Sequence, residues 1–348
     1  LAKEQDNKPL LIDALIQLGT LQMDSGQTTK AISKLEQAMS LALAINDQPR
    51  TMHLAGKLGN LFLNLSSLEK AVEYFSLALL AANELDQQYA AFSYKLSIGQ
   101  AYLTNEAFDT ARELFEEALA LAGELESPSA EMSALSSLMQ THIGIGNSSM
   151  VLLYGESALR LAQHLNDESA EIGNLNLLTA YLIKQGQFKK LPAFLQRGLE
   201  IATANEDWEW QLTMQDRLGL SYYQLGQFPE AQAAYEAALE TVMQLQDPEA
   251  AAHLYGRLSA VLAEQGELDD AIKAAQQALK LAQGQEDKQL LGEQQILLAF
   301  AFAEQNNLPQ AITHCQEAIA TFKALEDTEQ ISKAEIFLAE LNQITAAV

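Results

Sequence analysis

The chain returns to the same residue types every 40 positions. Moving from Gly219 in steps of 40 gives Gly19, Gly59, Gly99, Met139, Thr179, Gly219, Ser259 and Ala299. Twelve residues later the column reads Ala31, Ala71, Ala111, Val151, Leu191, Ala231, Ala271 and Ala311. Seven further on it reads Ala38, Ala78, Ala118, Ala158, Gly198, Ala238, Ala278 and Ala318. Eight repeats hold this spacing without insertion or deletion. Self-similarity of this length specifies an array in which each repeat buries its apolar face on its neighbours.

Small residues in fixed columns mark close approach of helix backbones, and larger residues between them fill the gaps. Phe75, Phe115 and Tyr235 follow the first alanine column by four, and Phe62, Tyr102 and Tyr222 follow the glycine column by three. Each repeat therefore reads as two antiparallel helices joined at SGQ, IGN, QGQ, LGQ or QGE. Only seven prolines interrupt a sequence rich in helix formers. A second punctuation, Asn7, Asp47, Gln87, Ser127, Asp167, Asp207, Asp247, Asp287 and Asp327, supplies a capping side chain everywhere except Gln87. Pro128 and Pro248 follow directly, where a missing N–H costs nothing.

The stretch LGLSYYQLGQFPEAQAAYEAALE, Leu218 to Glu240, resembles the tetratricopeptide repeat signature. It has Leu-Gly, an aromatic three later, glycine at the turn, then alanine, aromatic and alanine. Gly59 with Phe62, Ala71, Phe75 and Ala78 matches it closely, as does Gly99 with Tyr102, Ala111, Phe115 and Ala118. The usual period is 34, so 40 implies the long-helix variety. The resemblance spans essentially the whole chain and implies an all-α, right-handed superhelical solenoid. Eight helix-turn-helix repeats are expected at about 8–47, 48–87, 88–127, 128–167, 168–207, 208–247, 248–287 and 288–327. A capping helix is expected over 328–346, the whole forming a single solenoid. Residues 1–7, LAKEQDN, align with 41–47, LALAIND, so a fragment of a longer protein is expected. Its uncapped N-terminal end, with Leu11, Leu15 and Leu18, is a surface for self-association.

Repeats four and five depart from the pattern. Met139 and Thr179 replace the glycine, Gly155 the aromatic and Gly198 an alanine, while Pro192 enters the first turn of a second helix. A looser junction over 139–200 is one reading, and drift without consequence the other.

The net charge of −25 argues against nucleic acid, whose recognition needs a basic stripe. It suits a basic partner, or simply solubility; much of the acidity sits at helix starts, where the dipole favours it. No apolar run reaches a membrane span, so no membrane insertion is expected. The lone cysteine, Cys315, excludes an internal disulfide and is compatible with a reducing, cytoplasmic setting. No phosphate loop, dinucleotide fingerprint, zinc-binding helix motif or cysteine pair occurs, and the five histidines lie in scattered repeats. No enzyme, metal or cofactor is expected. Cys315 and His142 sit in aromatic columns and read as core filler.

The resemblance places the first helix of each repeat on a concave, peptide-receiving face. Residues one past the glycine column would line it: Thr20, Asn60, Gln100, Gln140, Ala180, Leu220, Ala260 and Phe300. Asn60, Gln100 and Gln140 can clamp a peptide backbone, because a carboxamide both donates and accepts; otherwise they are solvated surface. Two before that column, Lys57, Arg217 and Arg257 can receive carboxylates, or pair with neighbouring acids. The row lacks the regular Lys and Asn set with which co-chaperone members hold a C-terminal carboxylate. In EDWEW, Trp210 shares a column of alanines and reads as packed, whereas Trp208 reads as an exposed anchor. The expected function is a non-enzymatic scaffold binding a protein or peptide segment. The alternative is a ligand- or peptide-sensing domain of a larger bacterial signalling or transcription protein, a role similar arrays serve.

Overall fold

The computed structural model describes residues 7–284 and 287–347. They form seventeen α-helices and no strand. In chain order these are α1 (Lys8–Asp24), α2 (Thr28–Ala44), α3 (Gln48–Asn64), α4 (Leu68–Glu84), α5 (Gln88–Thr104) and α6 (Phe108–Glu124). There follow α7 (Pro128–Ile145), α8 (Ser148–Leu165), α9 (Glu168–Lys184), α10 (Leu191–Ala204), α11 (Trp208–Gln224) and α12 (Phe228–Leu245). The last are α13 (Pro248–Glu264), α14 (Leu268–Gln283), α15 (Lys288–Glu304), α16 (Leu308–Ala324) and α17 (Thr328–Ala347). Odd-numbered helices up to α15 open the repeats, and those of repeats one to four and six to eight pack closely on the even-numbered helix that follows, as in α3 on α4 and α13 on α14. The opening helices also touch one another: α5 meets α7, and α13 meets α15.

One left-handed residue stands at each described turn, in a series stepping by 20 positions from 26 to 266 and again from 306 to 326. Asn46, Ser66, Asp86, Glu106, Glu126, Gly146, Asn166, Gly186, Glu206, Gly226, Gln246 and Gly266 all have positive φ, as do Gly26, Asn306 and Glu326. Glycine is thus used at only some joints; elsewhere a polar side chain accepts a conformation disfavoured by about 1–2 kcal/mol. The cap column works largely as expected. Asp47, Ser127, Asp167, Asp207, Asp247, Asp287 and Asp327 each accept a backbone N–H of the first turn. Asn7 does not, and its backbone is already helical.

The columns pack in pairs 16 residues apart. A Cβ on Gly59, Gly99 or Gly219 would lie 2.5, 2.5 or 2.4 Å from the ring of Phe75, Phe115 or Tyr235. Those rings are at most 2% exposed. In repeat four the sizes are exchanged: Met139 is buried at 0% exposure and its sulfur faces Gly155. The departure that suggested loose packing in this repeat is therefore a compensated swap. In repeat five, Pro192 has no N–H for the Phe188 carbonyl, and Phe188–Lys190 tighten into a 3₁₀ turn. That carbonyl accepts from the Leu191 N–H and, at 3.1 Å, from the Ser221 hydroxyl.

The described chain divides into two compact halves, Leu1–Leu178 and Thr179–Val348, within α9 and inside the 139–200 stretch. In the N-terminal half a continuous core joins Ile12, Leu35, Leu54, Leu58, Phe62 and Phe75. In the C-terminal half one cluster is built on Tyr235, Leu254 and Val261, and another on Ala299, Cys315 and Leu341. On α1, Leu11 and Leu18 are exposed as expected, but Leu15 packs against the core because it shares the inward face with Ile12 and Ile16. The LAKEQDN alignment lies mostly outside the described residues. No described helix is long and apolar enough to cross a membrane.

Candidate functional site

The sequence-selected polar residues fall in both halves. In the N-terminal half, Asn60 on α3 and Gln100 on α5 are exposed, and Gln140 on α7 is half-buried. Their side chains have no hydrogen-bond partner among the described residues, so their donors and acceptors face solvent. Lys57, half-buried on α3, reaches back to α1 and donates to the Thr20 hydroxyl at 3.2 Å.

Arg217 and Arg257 occupy the same column as Lys57, four and five repeats further on, and follow the same rule of reaching to the preceding opening helix. Arg217 on α11 donates to the Thr179 hydroxyl on α9 at 2.8 Å. Burial works against its charge and draws its pKa down from the usual guanidinium value. Arg257 on α13 forms an ion pair with Asp216 on α11. The Tyr235 hydroxyl nearby has its pKa raised chiefly by burial.

These two arginines share one cleft of about 460 Å³, lined also by Thr213, Asp216, His253 and Leu254. One turn further along the same helices lies a second cleft of about 370 Å³. Its walls are Tyr223 of α11, Ala260, Ala263 and Glu264 of α13, and Leu297, Phe300 and Glu304 of α15. Phe300 is 46% exposed and stacks at 4.0 Å on Phe337 of α17, which holds the ring upright. Burial, followed by the charge of nearby Glu264, raises the pKa of the Tyr223 phenol. Both clefts have the size of ligand-binding pockets, with apolar walls and a few polar groups.

The structure thus brings Arg217 and Arg257 together and sets the predicted lining residues Ala260 and Phe300 beside them. Trp208 is 42% exposed, as expected, but lines neither cleft; Trp210 is half-buried, its ring near Gly198. The columns missed Asp216, His253, Tyr223, Glu264 and Glu304. The available signal was helical spacing: His253 precedes Arg257 by four, and Glu264 and Glu304 follow Ala260 and Phe300 by four. Cys315 is buried, and that burial pushes its thiol up to about 11, where it is inert. His142 is 5% exposed with neither ring nitrogen bonded.

Comparison with known proteins agrees with this architecture. Residues 170–345 match the MalT-like TPR region, and residues 16–86 and 57–126 match the tetratricopeptide repeat. No curated protein matches the sequence. Among solved structures, the apo form of RapI superposes with a TM-score of 0.55 at 13% identity, covering 78% of this chain and 97% of that one. A signal transduction ATPase with numerous domains (STAND) from Pyrococcus horikoshii, bearing a tetratricopeptide repeat sensor, superposes at 0.57 with 15% identity. That match covers 91% of this chain and 49% of the other, so this chain spans about half of that protein's length. At these identities the likeness is one of fold.

Proposed function

Because this chain belongs to the tetratricopeptide-repeat family, with a MalT-like region over its C-terminal half, we propose that it is a non-catalytic interaction module. Its opening helices receive a protein or peptide segment. The observation that carries this reading is the pair of adjoining clefts on α11, α13 and α15, which join apolar walls to Arg217 and Arg257. The exposed amides Asn60, Gln100 and Gln140 offer backbone contacts on the N-terminal half, and Trp208 a further anchor. Such a surface holds an extended chain by side-chain bonds to its amides and by burial of its apolar residues.

A peptide array, followed by titration of the binders, tests this. Arg257→Glu, or Asn60→Ala with Gln100→Ala and Gln140→Ala, is expected to weaken binding with the fold retained. Each lost hydrogen bond contributes roughly 0.5–1.5 kcal/mol. Binders indifferent to both sets exclude these residues as the site. A second reading, a regulatory sensor domain within a cytoplasmic signalling protein, is favoured by one observation. The chain shares its fold with a protein whose tetratricopeptide repeats are a sensor, and spans only about half of it. We also propose that exposed Leu11 and Leu18 on α1 support self-association; sedimentation of Leu11→Glu, Leu18→Glu would then show loss of a concentration-dependent species.

A further inference from the structure

The two clefts are ends of one stripe with opposite charge. On α13 the stripe runs His253, Arg257, Ala260 and Glu264, at spacings that keep all four on one helix face. Among the residues lining one end are two guanidinium groups, Arg217 and Arg257, and one carboxylate, Asp216, beside the exposed His253. At the other end Glu264 and Glu304 are both exposed, and neither meets a cation among the described residues. Glu264 lies near the Tyr223 phenol, whose pKa burial and this carboxylate raise, and Glu304 has no polar partner there. Between them lie Ala260, Leu297 and the Phe300 ring.

Charge complementarity therefore specifies more than a generic peptide. From Arg257 to Glu264 is seven residues, about 10 Å at the helical rise. An extended chain covers that in roughly three residues, and in about four once the offset between helices is included. We propose that this stripe recognises an extended internal segment of a partner protein bearing an acidic side chain and, three or four residues away, a lysine or arginine. The carboxylate meets Arg217 and Arg257. The cation lies between Glu264 and Glu304, its aliphatic stem against Leu297 and Phe300. The proposal rests on the interaction reading above and names its ligand.

Fluorescence anisotropy with labelled octapeptides, blocked at both ends, tests it. The probes carry one Asp and one Arg at separations of one to six in a Pro-Ser-Thr background that stays extended. Tightest binding is expected at separations of three or four. Exchanging Asp for Asn, or Arg for norleucine, should weaken it about tenfold, and raised salt should weaken it further. Glu304→Gln, at an exposed position, should cost the Arg peptide about tenfold and leave the norleucine peptide unchanged. Affinity independent of separation, insensitivity to Glu304→Gln, or a requirement for free termini overturns the proposal. If array peptides bind and Arg257→Glu releases them while the charge pair is irrelevant, only this assignment fails. If no peptide binds at all, the interaction reading fails with it.

Discussion

In the second repeat the first helix carries Gly59 and the second helix fills it with Phe75; in the fourth the first helix carries Met139 and the second Gly155. The exchange continues nearby. Phe62 stacks on Tyr74 at 5.4 Å, and 80 residues on, His142 stacks on Tyr154 at 5.5 Å. The joint at Ser66 becomes Gly146. In these two repeats the column is thus a volume shared between two helices and not a residue type, with the large side chain free to come from either one.

The largest effect should come from emptying a shared volume. Phe75→Ala is expected to lose about 3–5 kcal/mol by urea denaturation, with hydrogen exchange locating the loss in repeat two. Next comes the asymmetry of the two glycines. A Cβ at Gly59 meets a ring 2.5 Å away, whereas one at Gly155 meets a thioether sulfur at 2.8 Å. Gly59→Ala should cost about 1–3 kcal/mol and Gly155→Ala less, because methionine can rotate away. Equal costs would break the comparison. Converting repeat four to the other arrangement sharpens it: Met139→Gly and Gly155→Phe should each destabilise, and together recover about 0.5–3 kcal/mol of coupling. At the joints, Gly146→Ala should lose about 1–2 kcal/mol, and Ser66→Gly should gain a smaller amount.

The smallest effect is in pH. Burial, then the Arg112 charge, holds His142 below the usual imidazole value, against an opposing pull from Glu116. The unfolded chain therefore takes up its proton near pH 6.5 while the folded chain does not, so stability is complete above that pH and falls on acidification. His142→Phe, which restores the ring of repeat two, should flatten that fall between denaturation curves at pH 8 and pH 5. An unchanged slope would assign the acid sensitivity elsewhere.

The helices, their order and most of their caps were legible because each depends on residues close in sequence: a glycine or polar joint, an aspartate two or three positions before the N–H it accepts. The clefts were half legible. Columns identified Arg217, Arg257, Ala260 and Phe300, since 40-residue spacing places equivalent positions on adjacent helices. They did not show that Asp216 pairs with Arg257, or that Ser221 joins the Leu191 N–H on the Phe188 carbonyl that Pro192 cannot serve. Those depend on side-chain direction across 41 and 33 residues. Reading each column alone also made Met139 and Gly155 look like two defects, when the pair is one solution.

The left-handed joints at the described turns have a consequence for chain length. Each joint is interchangeable with the one two helices away, since both leave the chain pointing in the same direction after the same length. Excising or duplicating 40 residues between like joints, for example 88–127, leaves every downstream helix in its original rotational phase. A single-residue insertion would instead turn the next helix by about 100° and expose its apolar stripe. Whole-repeat changes in length are therefore compatible with the packing, whereas small frame-preserving insertions inside a helix are not.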